Sequence, residues 1–200
     1  MKTSTLLILL AAAILSCFAA SAQNLTARQM NIYFGNPQTV IATNSQGTIT
    51  TEFDRQGRIL KMTQGNMRLV YDWSDDNSKV VVSSYTGDNF TDAGEINISE
   101  FTPERYIYNL GGQVDITVIF KSNGSLDKSI VTLQQDSMTQ TYLYKNESDS
   151  YPYAIRQQNG AQEMTASISI DKTDSYGNAI EYTQNLFNNT DTTRLTIKYY

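Results

Sequence analysis

The sequence predicts an all-β protein: a single antiparallel meander of short hairpins, curled into a half-barrel or a closed barrel. Three observations predict it. Apolar and polar residues alternate with period two through most of the chain after residue 26. Glycines recur at the breaks between these runs. No helix-period stripe of useful length competes with them.

The first element lies outside the fold. Lys2 precedes an unbroken apolar run, Leu6 to Leu15, which is too short to span a bilayer comfortably. Ala20-Ser21-Ala22 then gives a small-x-small cleavage pattern, so residues 1–22 read as a secretory signal peptide cut before Gln23. A competing reading takes Ile14-Leu15-Ser16-Cys17 as a lipobox, with Cys17 acylated; bulky Leu15 and the downstream Ala-x-Ala site favour simple export. Residues 23–200 carry no linker or composition shift and read as one domain.

Along that domain the elements follow one logic. Met67, Leu69, Tyr71 and Trp73 alternate with Arg68 and Asp72. Val114, Ile116, Val118 and Phe120 alternate with Gln113, Asp115 and Thr117. Met164, Ala166, Ile168 and Ile170 alternate with Thr165, Ser167 and Ser169, and Leu195, Ile197 and Tyr199 with Arg194, Thr196 and Lys198. One apolar and one polar face is the pattern of antiparallel strands. Gly47, Gly65, Gly87, Gly94 and Gly160 read as turns. Ser74–Ser78 and Thr86–Gly94 read as polar, acidic loops, and Pro103 and Pro152 as strand interruptions or edges.

The breaks themselves repeat a template of aromatic, three residues, Gly, one residue, aliphatic. Phe53-Asp54-Arg55-Gln56-Gly57-Arg58-Ile59 fits it, as do Tyr108 to Val114 around Gly112 and Phe120 to Leu126 around Gly124. Thr173-Asp174-Ser175-Tyr176-Gly177-Asn178 is a looser copy without the aromatic. Asp or Asn opens a turn, and Gly accepts the positive φ that returns the chain. Gly112 and Gly124 lie 12 residues apart, one strand between two turns. Over the whole domain that spacing gives roughly thirteen to fifteen strands.

These hairpin units resemble the YD-repeat, or RHS-like, family of secreted bacterial proteins, on Phe53-Asp54 with Gly57-Arg58-Ile59 and on Asp174-Ser175-Tyr176-Gly177-Asn178. The ending Thr193 to Tyr200 is similar to that of small exported relatives. Lys121 stands where the family pattern has Asp, and Tyr71-Asp72 lacks the following Gly. The resemblance implies an extended or curved β-sheet outside the cytoplasm, and it implies no catalytic residues.

Composition narrows the chemistry. The chain has no histidine and one cysteine, and that cysteine belongs to the leader. Ser-His-Asp and Cys-His sites, imidazole metal ligands and disulfides are thereby excluded from the mature domain. A net charge of -5 argues against nucleic acid and anionic membrane surfaces. Asp72, Asp75, Asp76 and Asn77 form one oxygen-rich cluster, and Asp88, Asn89, Asp92 and Glu95 another. Neither has the calcium-loop spacing, and Asp and Asn favour turns for backbone reasons, so both read as solvated turns. A carboxylate pair can run glycoside hydrolysis without histidine. Asp115 and Glu181 are the acids set in strands, and period two turns Asp115 towards water.

Thirteen tyrosines are present. Tyr106 with Tyr108, Tyr142 with Tyr144, and Tyr151 with Tyr153 each share a face, as sugar-stacking ladders do. Tyr is also an amphipathic strand former suited to filling a core, and that reading is preferred; Trp73 reads as core too. An outer-membrane barrel is disfavoured because terminal Tyr200 shares parity with Lys198, Thr196 and Arg194.

No catalytic, metal-binding or cofactor-binding residue is therefore expected. The expectation is an exported, non-enzymatic structural or interaction protein, periplasmic or extracellular, with a protein or glycan partner. The alternatives are a soluble barrel or half-barrel that binds glycan, peptide or lipid, and a histidine-free glycosidase.

Overall fold

The computed structural model describes Tyr33 and residues 35–200 except 103, 123, 124, 134, 135, 187 and 188. The segment expected as a leader, with Cys17, and residues 23–32, Pro103 and Gly124 lie outside the described residues.

The described chain is all β. Its strands are β1 Pro37–Asn44, β2 Gly47–Phe53, β3 Ile59–Gln64, β4 Met67–Trp73, β5 Lys79–Thr86, β6 Asn89–Phe101 and β7 Arg105–Leu110. They continue as β8 Val114–Phe120, β9 Leu126–Leu133, β10 Asp136–Leu143, β11 Ala154–Asn159, β12 Gln162–Thr173, β13 Ala179–Leu186 and β14 Asn189–Tyr199. Each strand pairs antiparallel with its sequence neighbours, and β1 pairs with β14 to close a 14-strand barrel. Val40 faces Thr51 on one side and Ile197 on the other. Closure gives every described strand a partner on each side.

The two ends of the barrel use different turns. At one end the connections are tight. Gly65, Gly87 and Gly160 open two-residue loops at φ 58°, 60° and 56°, the positive φ a type II′ hairpin needs at its first position. At the other end the loops are longer. Asp54 Oδ1 accepts the backbone N–H of Gln56 and Arg58, and the Gly57 N–H donates to the Asp54 carbonyl. Asp174 repeats each of these bonds with Tyr176, Asn178 and Gly177.

Two expectations about turns are corrected. Gly94 is not in a turn: it sits inside β6 opposite Val82, and only Gly87-Asp88 separates β5 from β6. Strand pairing prevails over the polar composition of residues 89–94, whose outward side chains are solvated. The Gly112 unit is not a copy of the Gly57 unit. It lies at the tight end, where Gly111 and Gly112 both take positive φ and Gly112 N–H donates to Asn109 Oδ1.

The core fills the barrel from within. Inward-facing Val82, Val118, Phe53, Val40, Leu110 and Ile59 are almost fully buried. A barrel of 14 strands is wide enough to enclose a cavity or channel. Here long aromatic side chains occupy that width: Tyr71, Tyr106, Tyr108, Tyr142, Tyr182 and Phe120 are all buried. Tyr106 stands edge-on to Tyr108 with centroids 6.4 Å apart, and it packs on Phe120 at 5.5 Å. Tyr33, ahead of β1, is buried with its ring 6.2 Å from that of Phe53.

Candidate functional site

Period two sorts the side chains into a buried face and a wet face. The wet face holds ion pairs between neighbouring strands. Lys61 meets Glu52 at 2.6 Å, Lys79 meets Glu95 at 2.6 Å, and Arg105 meets Glu100 at 2.6 Å. Glu181 takes both Lys172, at 2.9 Å, and Arg194, at 3.4 Å. Hydrogen bonding and charge from these cations hold Glu95, Glu100 and Glu181 below the usual carboxylate range. Thr43–Thr48 and Thr183–Thr192 hydroxyl pairs lie between them.

The acids singled out from the sequence fall on this face or in its turns, and Asp76, Asp92, Glu95, Asp115 and Glu181 hold partners there. Asp115 accepts the Asn109 side-chain amide at 2.7 Å, as its outward parity predicts. It lies on β8, five strands from Glu181 on β13, so the two do not form a pair of catalytic carboxyls. Asp76 accepts the Ser78 N–H and the hydroxyls of Ser74 and Ser78. The backbone donor foremost, then the hydroxyls, lower it to about 2. Asn77 Oδ1 accepts from Arg58, whose guanidinium lies over the Trp73 ring at 5.9 Å. Asp92 accepts the Ala93 N–H. Among the described residues no group of three or more candidate ligands converges to hold a metal ion.

The tyrosine pairs divide. Tyr106 and Tyr108 are core; Trp73 is partly buried and packs against it, its indole N–H donating to the Ile59 carbonyl at 2.7 Å. Tyr151 pins the loop between β10 and β11. Its hydroxyl donates to the Gly177 carbonyl and accepts the Ala179 N–H, both at 2.9 Å. Burial pushes the Tyr151 hydroxyl up to about 12, against the pull of that N–H.

Tyr142 and Tyr144 instead help to line a recess, which sequence reasoning did not anticipate. It lies between β10, β11, β12 and β13, and Ser150 and Pro152 of the β10–β11 loop form its lip. Leu126, Ile155, Ile168, Ile170 and Tyr182 complete the walls, with Gln184 at the inner end. Ile168 and Ile170 face inward yet are only half-buried, because side chains do not fill the space in front of them. The cavity volume is about 20 Å³, room for about one water. Burial raises the Tyr142 and Tyr144 hydroxyls well above their ordinary range. Tyr144 donates to the Leu126 carbonyl at 2.5 Å, and Lys121 Nζ lies 4.1 Å from its ring centroid.

A polar patch continues inward from the recess. Gln140 Oε1 accepts from Ser129 and Tyr142, each at 3.4 Å, and its amide N–H₂ reaches Gln157 at 3.5 Å. These are neutral groups in hydrogen-bonding range of one another, without a nucleophile and base arranged for attack.

No family model matches the chain. No curated protein matches it either. Solved structures that resemble it include a porin-like protein from Bacteroides vulgatus, with 12% identity, a TM-score of 0.46, and coverage of 83% of this chain and 99% of that one. Another is a porin-like protein from Bacteroides uniformis, with 9% identity, a TM-score of 0.30, and coverage of 83% and 98%. Likeness at this level says nothing about what the present chain does.

Proposed function

We propose that this chain is an exported, non-enzymatic barrel that works in water as a structural or interaction module and does not conduct solutes across a membrane. One observation carries the reading: the barrel has a packed apolar interior and a charged exterior laced with cross-strand ion pairs. A membrane barrel requires the reverse, an outward apolar band with aromatic girdles. The occupied carboxylates support the non-enzymatic reading, and the leader pattern at Lys2, Leu6–Leu15 and Ala20-Ser21-Ala22 supports export. The Asp54 and Asp174 turns support a repeat-built sheet of the kind the YD resemblance implies.

The test is to express residues 23–200 without detergent and measure sedimentation, liposome flotation and bilayer conductance. The expected result is a folded, monodisperse protein that neither floats nor conducts. A need for detergent, or single-channel steps, overturns the reading.

A further inference from the structure

We propose that the outer cleft at the closing seam of the barrel binds one pyranose ring, a single sugar unit of a glycan. The inference deepens the interaction reading and rests on it, because the outer face must meet water.

The seam builds the cleft. Thr39 of β1 pairs with Lys198 of β14 on one side and with Glu52 of β2 on the other. The three stand in one row on the wet face, opposite in parity to buried Val40. Two β-bulges add side chains to that row. The register shifts between Pro37 and Thr39, so Gln38 opposes no residue of β14. It shifts again between Glu52 and Phe53, so Leu60 opposes no residue of β2. An extra residue in a strand re-aims a side chain, and bulges are over-represented next to functional sites. Together with Tyr200, these residues line a cleft of about 280 Å³. Small-molecule sites begin at about 300 Å³, so the space suits a single ring.

The lining has the two kinds of surface that a sugar ring has. Tyr200 is the apolar platform. Its backbone N–H donates to the Asn36 carbonyl and its hydroxyl to the Phe53 carbonyl, so the ring is held at both ends, yet the residue is 47% exposed. The Arg55 guanidinium lies 5.2 Å from the ring centroid and steadies it further. A platform fixed before binding loses little freedom on binding. Leu60, 39% exposed, extends the apolar surface.

The rest of the lining offers hydrogen bonds of both senses. The Gln38 amide and the Thr39 hydroxyl each donate and accept, the Lys198 ammonium donates, and the Glu52 carboxylate accepts. Glu52 Oε1 takes Lys61 at 2.6 Å, and Oε2 remains for a ligand. Among the described residues no partner occupies the side chains of Gln38, Thr39 or Lys198. Elsewhere the wet face pairs such groups with one another, as in Thr43 with Thr48. A pyranose matches this set, with a C–H face for the tyrosine and hydroxyls that donate and accept around its rim. An extended peptide is the weaker fit, because it gains most by adding to an open strand edge and β1, β2, β3 and β14 are each paired on both sides.

The experiment titrates ¹⁵N-labelled protein, without detergent, with the methyl glycosides of glucose, galactose and mannose. At least one should give saturable amide shifts confined to residues 36–41, 51–61 and 196–200, with a Kd on the order of 1 mM for a ligand of this size. Cyclohexanol, an apolar ring with one hydroxyl, and a Gly-Gln-Gly peptide should each bind at least about tenfold more weakly. Tyr200→Ala should abolish the shifts, and Lys198→Ala should weaken binding about 3- to 10-fold while the rest of the spectrum stays native. Leu60→Trp, a bulky replacement at an exposed position, serves as a blocking variant should Tyr200→Ala fail to fold. Shifts spread over the barrel, equal binding of cyclohexanol or of the peptide, or undiminished binding by the folded variants overturns the proposal. A native spectrum that ignores all three glycosides sinks the sugar site alone. A chain that is insoluble without detergent sinks the water-soluble reading instead.

Discussion

Asp174→Ala is the most informative single perturbation of this fold, because one carboxylate closes a turn, caps a buried amide and ties down the last strand. Oδ1 accepts the N–H groups of Tyr176 and Asn178, both at 2.9 Å. Oδ2 accepts the Asn178 amide at 3.2 Å and the Tyr199 hydroxyl. The turn N–H of Tyr176 is open to water once the carboxylate goes, so this part of the loss is comparable to losing a helix N-cap, about 1 kcal/mol. Asn178 is fully buried, and its amide also donates to the Tyr199 hydroxyl at 2.7 Å. The weakened buried pair adds about 1–2 kcal/mol. The total, about 2–3 kcal/mol, corresponds to a fall in Tm of about 4–12 °C for a domain of this size. Asp54→Ala removes the same two turn bonds and a partly exposed ion pair with Arg58, at 2.6 Å, but no buried amide. It should cost less, about 1–2 kcal/mol. Asp75→Ala, in an exposed turn, should stay within about 0.5 kcal/mol.

The pH dependence of the Asp174 penalty has a defined sign. Burial raises its carboxyl, but the Tyr199 hydroxyl and the Asn178 and Tyr176 donors outweigh that and hold it below its ordinary value. A lowered carboxyl stabilises the fold while ionised. That contribution is complete above the unfolded value and is lost as pH falls through the folded one. The gap in Tm between the native chain and Asp174→Ala should therefore narrow steadily as pH falls from about 5 to about 2. At the alkaline side, burial and then Asp174 raise the Tyr199 hydroxyl, so its bond survives until pH rises past the ordinary tyrosine range. Circular dichroism melts across this range decide the matter. A penalty no larger than that of Asp75→Ala, or one that is undiminished near the acid limit, refutes the reasoning.

Three further outcomes follow from the geometry. Gly35→Ala combines a φ of +79° with a Cβ only 2.6 Å from the Tyr176 ring, whereas Gly177→Ala, at φ +86°, meets nothing. Gly177→Ala should cost about 1–2 kcal/mol from the backbone alone and Gly35→Ala more, with Tyr176→Ala in the same chain recovering only the excess; thermal melts of the four variants test this. Tyr33→Ala empties a buried site against Phe53 and should cost about 3–5 kcal/mol by urea denaturation. A double-mutant cycle on Lys61 and Glu52, both half-exposed, should return less than about 1 kcal/mol, and less again in high salt.

The strands were legible because their information is local. The alternations at residues 67–73, 114–120, 164–170 and 195–199 fall within β4, β8, β12 and β14. The Asp174 turn looked like a loose copy for want of an aromatic, yet its bonds match those of the Asp54 turn one for one. The carboxylate and the glycine three residues later make that turn; the aromatic only accompanies it. The Gly112 unit matched the template in residue types and still belongs to the opposite end. One strand separates Gly112 from Gly124, and in a meander successive turns alternate ends, so the spacing itself held that distinction. Closure was not legible, because Val40 meets Ile197 from the far end of the chain and no local pattern sets that pairing. The recess was not legible either, since it depends on the volume left between four strands and a loop rather than on any run of residues.

The period-two pattern alone is symmetric between two worlds. Turning the sheet inside out would present Val82, Val118, Ile155 and Tyr182 to lipid and enclose the lysines and glutamates in a lumen. Two features oppose that inversion. The face that would meet lipid also carries Thr51, Ser129, Gln140 and Thr193, all buried and in mid-strand, and lipid offers such groups no partner. The strands are also short: β3, β7 and β11 have 6 residues each. At about 3.3 Å per residue and a tilt of about 45°, such a strand climbs only about 14 Å, whereas the apolar band of a membrane barrel is about 25 Å tall. The buried hydroxyls and amides instead find one another inside, where Ser129, Gln140 and Gln157 form a chain. Tyrosines resolve the remaining difficulty of a wide closed sheet, because each spans far into the lumen and brings a hydroxyl that can reach such partners. A 14-strand sheet thus closes around side chains rather than around water.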